Sequence, residues 1–114
     1  MKELFHGVII IDMDKKKRIY ISTPITGKDI DEVKKKTEEL KQRIKGASSE
    51  PCEVITPFDV CNIGWMGYNA YMGRDIEALL DCDEVVFRKG WNESKGCLLE
   101  LEAARMYGKK ITFE

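Results

Sequence analysis

Apolar residues in this chain follow two rhythms: short continuous runs, and longer polar stretches in which they return every three or four positions. The first rhythm predicts strands at Arg18–Ser22, Glu53–Thr56, Asp83–Phe87 and Lys110–Phe113, the second of them stopped by Pro57. The second rhythm predicts three helices. Ile30, Val33, Leu40 and Ile44 mark a long one ending near Gly46, and Tyr71, Met72, Ile76, Leu79 and Leu80 mark another. The third runs from Ser94, a good N-cap residue, to about Tyr107, with Gly108 at its exit. Thr23 to Gly27 reads as a loop, and Phe58 to Gly67, with Trp65 and Met66, shows no clear period.

Strands alternating with helices of these lengths call for a mainly parallel sheet covered on both faces. The expected architecture is a Rossmann-like or flavodoxin-like three-layer α/β sandwich of about five strands, with right-handed crossovers. The fifth strand comes from the Leu4–Ile11 run, which contains Val8-Ile9-Ile10-Ile11. Joined to Arg18 by a turn over Asp12–Lys17, it is expected to form a hairpin and an antiparallel edge. A length of 114 residues is read as one domain, 1–114, with residues 1–17 as its N-terminal hairpin extension. No internal repeat, low-complexity segment or linker interrupts it.

Charge narrows the classes of partner. A net charge of −1 argues against a nucleic-acid polymer, whose binding needs a clustered excess of Lys and Arg. The two basic clusters, Lys15-Lys16-Lys17 with Arg18 and Lys34-Lys35-Lys36, read as solvated faces. No apolar stretch is long enough to span a bilayer and no signal-peptide pattern opens the chain, so no membrane partner and a cytoplasmic location are expected. Cys52, Cys61, Cys82 and Cys97 form no C-x-x-C pair and lie far from His6, which argues against a zinc site; free thiols, no metal and no cofactor are expected. Cys97 stands near a helix N-terminus, a position that activates some thiols, but has no histidine partner nearby in sequence. Trp65 and Trp91 read as packing residues before base-stacking platforms, and His6 as a hairpin residue without chemistry.

In a doubly wound sheet, ligands bind beyond the carboxyl ends of the strands. The sequence brings Tyr20, Ser22, Thr23, Thr26, Gly27, Phe58, Asp59, Ser94, Lys95, Gly96 and Glu100 to that edge, with Asp75 offered by the second helix. Glu100 sits in the early turns of its helix among Leu98, Leu99 and Leu101. A carboxylate there is either a solvated complement to the helix dipole or a reactive group. Tyr20 is either a buried strand aromatic or a site residue, and Asp75 either a solvated helix residue or an acid. Two carboxyls, a tyrosine and small hydroxyl residues suit glycosidic chemistry, in which one carboxylate takes the sugar covalently and an acid protonates the leaving group.

Three motifs in order sharpen this reading. They are Ile19-Tyr20-Ile21-Ser22-Thr23-Pro24-Ile25, the Asp75 and Asp83 pair, and Gly96, Glu100, Leu101 and Ala104 followed by Gly108, Lys109 and Ile111. With them the chain resembles, over Arg18 to Phe113, the nucleoside 2-deoxyribosyltransferase superfamily. It is most similar to the small bacterial and phage branch and to the 2'-deoxynucleoside 5'-monophosphate N-glycosidases. The resemblance implies that Glu100 is the nucleophile, Asp75 the acid that helps protonate the leaving base, and Tyr20 the residue that orients Glu100. It also places Ser94 where transferases carry an aspartate and the monophosphate hydrolases a serine. Ser22, Thr23, Thr26, Gly27, Asp59, Ser94, Lys95 and Gly96 are then the expected substrate-binding residues.

The resemblance further implies a small-molecule nucleoside or nucleotide partner and a homodimer or higher oligomer, for which Tyr71, Met72 and Leu79 are read as partly uncovered faces. Two family glycines are replaced here by Leu98 and Glu102, and a tail that elsewhere reaches a neighbouring site is expected to be absent after Glu114. The competing reading is a nucleotide-binding module with little or no turnover. If the enzyme reading holds, Glu100 should carry an exposed carboxylate in a crevice with the Tyr20 hydroxyl in reach.

Overall fold

The computed structural model describes residues 2–5, 8–11, 16–60 and 68–114. Strands β1 (Lys2–Phe5) and β2 (Val8–Ile11) are followed by β3 (Lys17–Ser22), α1 (Ile30–Ala47), β4 (Cys52–Ile55) and the one-turn α2 (Pro57–Val60). Then come α3 (Tyr68–Leu80), β5 (Glu84–Phe87), a 3-10 turn (Trp91–Glu93), α4 (Lys95–Met106) and β6 (Lys110–Phe113).

Four strands form one all-parallel sheet in the order β4-β3-β5-β6. The chain thus steps from β3 to one side, then back across it to the other, the flavodoxin-like winding that the strand–helix alternation predicts. The sheet has four strands rather than about five. Both edges of β3 are filled by parallel partners, β4 and β5, so none is left for the N-terminal segment. β1 and β2 instead pair antiparallel with each other in a separate two-stranded sheet. The expected antiparallel edge beside Arg18 is therefore absent, and most of the turn assigned to Asp12–Lys17 lies outside the described residues.

Alternation along β3 sorts the core into two layers. Ile19 and Ile21 pack with Leu40 of α1 and Val54 of β4 on one face. Tyr20 points to the other, where Leu79 of α3, Val85 and Phe87 of β5, and Cys97 and Ala104 of α4 close the larger core. α1 begins at Asp29, whose carboxylate accepts from the backbone N–H groups of Asp31 and Glu32, and it buries Val33, Thr37 and Leu40 at helical spacing. At the amino ends of the strands, Asp83 accepts from Arg18 N at 2.9 Å, and Lys17 Nζ meets Glu84 at 2.8 Å. Lys17, from the basic run before β3, is thus paired with a carboxylate of the sheet. Phe87, Trp91 and Phe113 stack where β5 and β6 end, with ring centroids 4.9 to 6.2 Å apart, so Trp91 packs as expected. Trp65, Cys61 and His6 lie outside the described residues.

Where the sequence reading saw a loop after Pro57, the structure has the turn of α2. Thr56 and Asp59 build it reciprocally: Asp59 Oδ2 accepts from Thr56 N at 3.0 Å and from Thr56 Oγ1 at 3.2 Å, and Pro57 occupies the first helical position, where no N–H is needed.

Candidate functional site

α4 presents its side chains in an order that apolar burial alone would not choose. Leu98 and Leu99 are 44% and 50% exposed, while Glu100, next in the chain, is 3% exposed. The helix is started by Ser94, whose Oγ accepts from Cys97 N at 3.2 Å, and its packing against β3 and α3 turns Glu100 inward. There it meets β3. Ser22 Oγ donates to Glu100 Oε1 at 2.8 Å, a contact between side chains 78 positions apart. Because Tyr20 and Ser22 are two apart on one strand, both face α4.

Asp75 of α3 completes the group. Tyr20 Oη, Asp75 Oδ1 and Glu100 Oε2 are all buried without a hydrogen-bond partner. The Tyr20 hydroxyl lies near enough to steady both carboxyls as a donor, but closes a hydrogen bond with neither. Burial dominates the electrostatics. It pushes Glu100 up to about 8, with the Asp75 charge adding to the rise and Ser22 and Tyr20 opposing it. It pushes Asp75 up to about 7, against the Tyr20 hydroxyl. The tyrosine itself rises well above its ordinary value through burial and the two carboxyls. Between about 7 and about 8 the carboxyl pair holds about one proton, for the most part on Glu100. Unpartnered buried polar atoms are rare in folded proteins, and three converging on one spot are the mark of a site built for something besides stability.

Glu100 is not the exposed crevice carboxylate expected from the sequence. Its helix turns it into the interior between β3 and α3. The cavity at the carboxyl edge lies beside it: about 630 Å³, lined by Pro24, Thr26, Lys28, Glu93, Ser94, Lys95 and Gly96 among others, but by none of Tyr20, Asp75 and Glu100. Of the expected binding residues, Thr26, Ser94, Lys95 and Gly96 therefore share one wall system, and Ser22 joins Glu100 instead. Thr23 is buried with its hydroxyl 3.4 Å from that of Thr37 on α1, on the opposite side of β3. Gly27, at φ +77, shapes the turn closed by Lys28 N donating to Ile25 O, with no atom opposite its missing side chain. Asp59 is committed to Thr56 and, at 3.3 Å, to Lys41 Nζ, and lines a different cavity with Lys16 and Lys45. Phe58 shares the α2 turn with it.

Two features escaped the sequence reading. Ser22 was legible as a loop-proximal hydroxyl but not as the partner of Glu100. Arg88, just after β5, donates from Nη1 to Thr37 Oγ1 at 3.3 Å and faces Glu114 Oε1 at 3.6 Å, tying α1 to the end of β6. An arginine following a strand end in a chain of mixed charge carries no signal of that kind. Cys97 is buried, and burial raises its thiol above the ordinary value rather than activating it. Cys82 is likewise pushed up to about 11 by burial. Cys52, Cys82 and Cys97 are free thiols, and among the described residues no three metal-ligating side chains come together.

Fold and site together define a doubly wound α/β domain with a buried carboxyl pair beneath the carboxyl edge of its central strand. Residues 17–113 match the family described as a domain of unknown function (DUF4406), and the chain belongs to that family. No curated protein matches it. Among solved structures, a 2-desoxiribosyltransferase from Leishmania mexicana has the same fold, with a TM-score of 0.64 at 22% identity over 85% of this chain and 63% of that one. The chain thus spans less than two thirds of that enzyme's length.

Proposed function

We propose that this protein cleaves or transfers the N-glycosidic bond of a 2'-deoxynucleoside, with the 5'-monophosphate favoured, through a covalent deoxyribosyl intermediate on Glu100. The observation that carries the reading is the inverted order on α4, with two leucines in solvent and the glutamate between β3 and α3 beside Asp75 and Tyr20. The family motifs carried by those three residues and the shared fold with a deoxyribosyltransferase support it.

In the first step an ionised Glu100 oxygen bonds to the anomeric carbon while the carbon–nitrogen bond breaks. Its electron pair goes to the base nitrogen, which takes a proton from Asp75. In the second, water or an acceptor base gives its proton to Asp75 and attacks the same carbon, releasing Glu100. Tyr20 orients the nucleophile. The first N–H groups of α4, the Ser94 and Thr26 hydroxyls and the ammonium groups of Lys28 and Lys95 offer a 5'-phosphate a place in the adjoining cavity. Glu93 on the same wall opposes it. The partner is a small-molecule nucleotide, and the protein works as a homo-oligomer in the cytoplasm. Among the described residues no helix is long and apolar enough to cross a membrane.

Free base released from a panel of deoxynucleosides and their monophosphates, followed by chromatography, tests the activity. Acid-quenched protein should carry an added deoxyribosyl mass on the peptide containing Glu100. Equal or better turnover of unphosphorylated substrates would remove the phosphate preference.

One observation favours a second reading, a nucleotide-binding module without turnover: among the described residues this cavity is lined by neither carboxyl, and both are buried. Saturable nucleotide binding with no base release from any member of the panel would establish it.

A further inference from the structure

The sequence offers Ser22 as a substrate-binding residue; in the structure Ser22 is fully buried, and its hydroxyl donates to Glu100 Oε1 at 2.8 Å. The other oxygen of the same carboxyl, Oε2, is buried and unpartnered. The two oxygens of one side chain thus stand in unlike situations. We propose that Ser22 is a positioning residue that holds Oε1 and so fixes Oε2 as the atom that attacks the sugar, an assignment that rests on the nucleophilic reading of Glu100.

The geometry gives the division of labour a physical basis. A carboxylate free to rotate about its last bond presents two equivalent oxygens and averages their directions. One charge-assisted hydrogen bond from a rigid strand removes that freedom. β3 supplies it from the interior of the sheet, paired on both edges. When Oε2 bonds to the anomeric carbon and the carbon–nitrogen pair leaves with the base, Oε1 becomes the carbonyl oxygen of the ester and still accepts from Ser22. When water displaces the sugar, the charge returns to a carboxylate that has kept its orientation. The hydroxyl also lowers the proton affinity of Glu100. The other titratable groups facing that carboxyl are Tyr20 from β3, Asp75 from α3 and Cys97 on α4 itself; Arg88 after β5 acts on Cys97, and among the described residues no cation acts on Glu100.

The test compares wild type with Ser22→Ala and, should that variant not fold by circular dichroism, Ser22→Gly. The Glu100 carboxyl is followed by carbon NMR on protein labelled with 13C-glutamate, which needs no turnover. Loss of the hydroxyl should raise the Glu100 midpoint by about one pH unit. The falling limb of the pH–rate profile, set by Glu100 at about 8, should move up with it, and kcat should fall about tenfold with KM within about twofold. Ser22→Thr, which keeps the hydroxyl, should restore both. An unmoved Glu100 midpoint overturns the proposal, as does a tenfold higher KM with kcat preserved, which would mark a substrate contact. Full activity in Glu100→Gln would instead remove the nucleophilic reading, and with it the assignment of Oε2, while the NMR comparison still reports whether Ser22 holds the carboxyl.

Discussion

A glutamate held inside while two leucines beside it face water is a choice against stability, and its consequences are measurable. Asp75 and Glu100 titrate at about 7 and about 8 in the folded protein, against ordinary values of 3.8 and 4.5. Between those limits the folded state binds more protons than the unfolded chain, so stability falls as pH rises from about 4 through about 8. Glu100→Gln, which cannot ionise, should therefore melt higher than wild type by about 5 °C at pH 8.5 and lose the advantage near pH 4, in thermal scans at both pH values. Glu100→Ala should lower turnover by about a thousandfold or more while the fold persists. On the proposed mechanism turnover needs Asp75 protonated and Glu100 ionised, the minor placement of the single proton, because Asp75 at about 7 ionises before Glu100 at about 8. Below about 7 both carry protons and above about 8 neither does, so the pH–rate profile should be a narrow bell between those values, with a small share of the protein active at its peak. The identity of these residues was legible because motif spacing marks Tyr20, Asp75 and Glu100 together. Their burial was not, because the rotation of α4 is set by packing against β3 and α3, which no local pattern encodes. The Ser22 contact with Glu100 was not legible for the same reason: the two lie 78 positions apart.

At the level of elements, local chemistry explains most of what the sequence announced. Ser94 reads as a cap from its residue type and accepts from the first turn of its helix, as Asp29 does for α1. Ser94→Ala should cost about 1 kcal/mol, read as a lower urea midpoint at unchanged slope. If Ser94 also serves a phosphate, the same variant should weaken monophosphate turnover more than nucleoside turnover. Strand pairing was less legible than strand existence. The Arg18–Ser22 run announced a strand, yet nothing in it announced that both edges would be taken by strands far ahead in sequence, leaving the N-terminal apolar run to pair within itself. The α2 turn was missed because Pro57 was read as an end rather than as the first residue of a helix.

For the molecule as a whole, the proposed self-association has a second surface beside the one the periodicity suggests. Tyr71 and Met72 are partly uncovered as expected and Leu79 is fully buried in the core, whereas Leu98, Leu99, Met106 and Tyr107, 44% to 72% exposed, leave the outer side of α4 and its exit uncovered. Sedimentation at micromolar concentration is expected to show a species heavier than the 13.1 kDa chain, and Leu99→Asp with Met106→Asp should return it to that mass. The aromatic stack at the end of β5 has a further, optical consequence. Trp91 is one of two tryptophans, and its neighbours Gly90 and Glu93 form part of the cavity wall while its ring rests on Phe87 and Phe113. In a Trp65→Phe background its indole emission becomes a label placed by the fold itself. A nucleotide entering the cavity should quench that emission, and unfolding should shift it to longer wavelength, so a single fluorescence channel separates occupancy from denaturation without any attached dye.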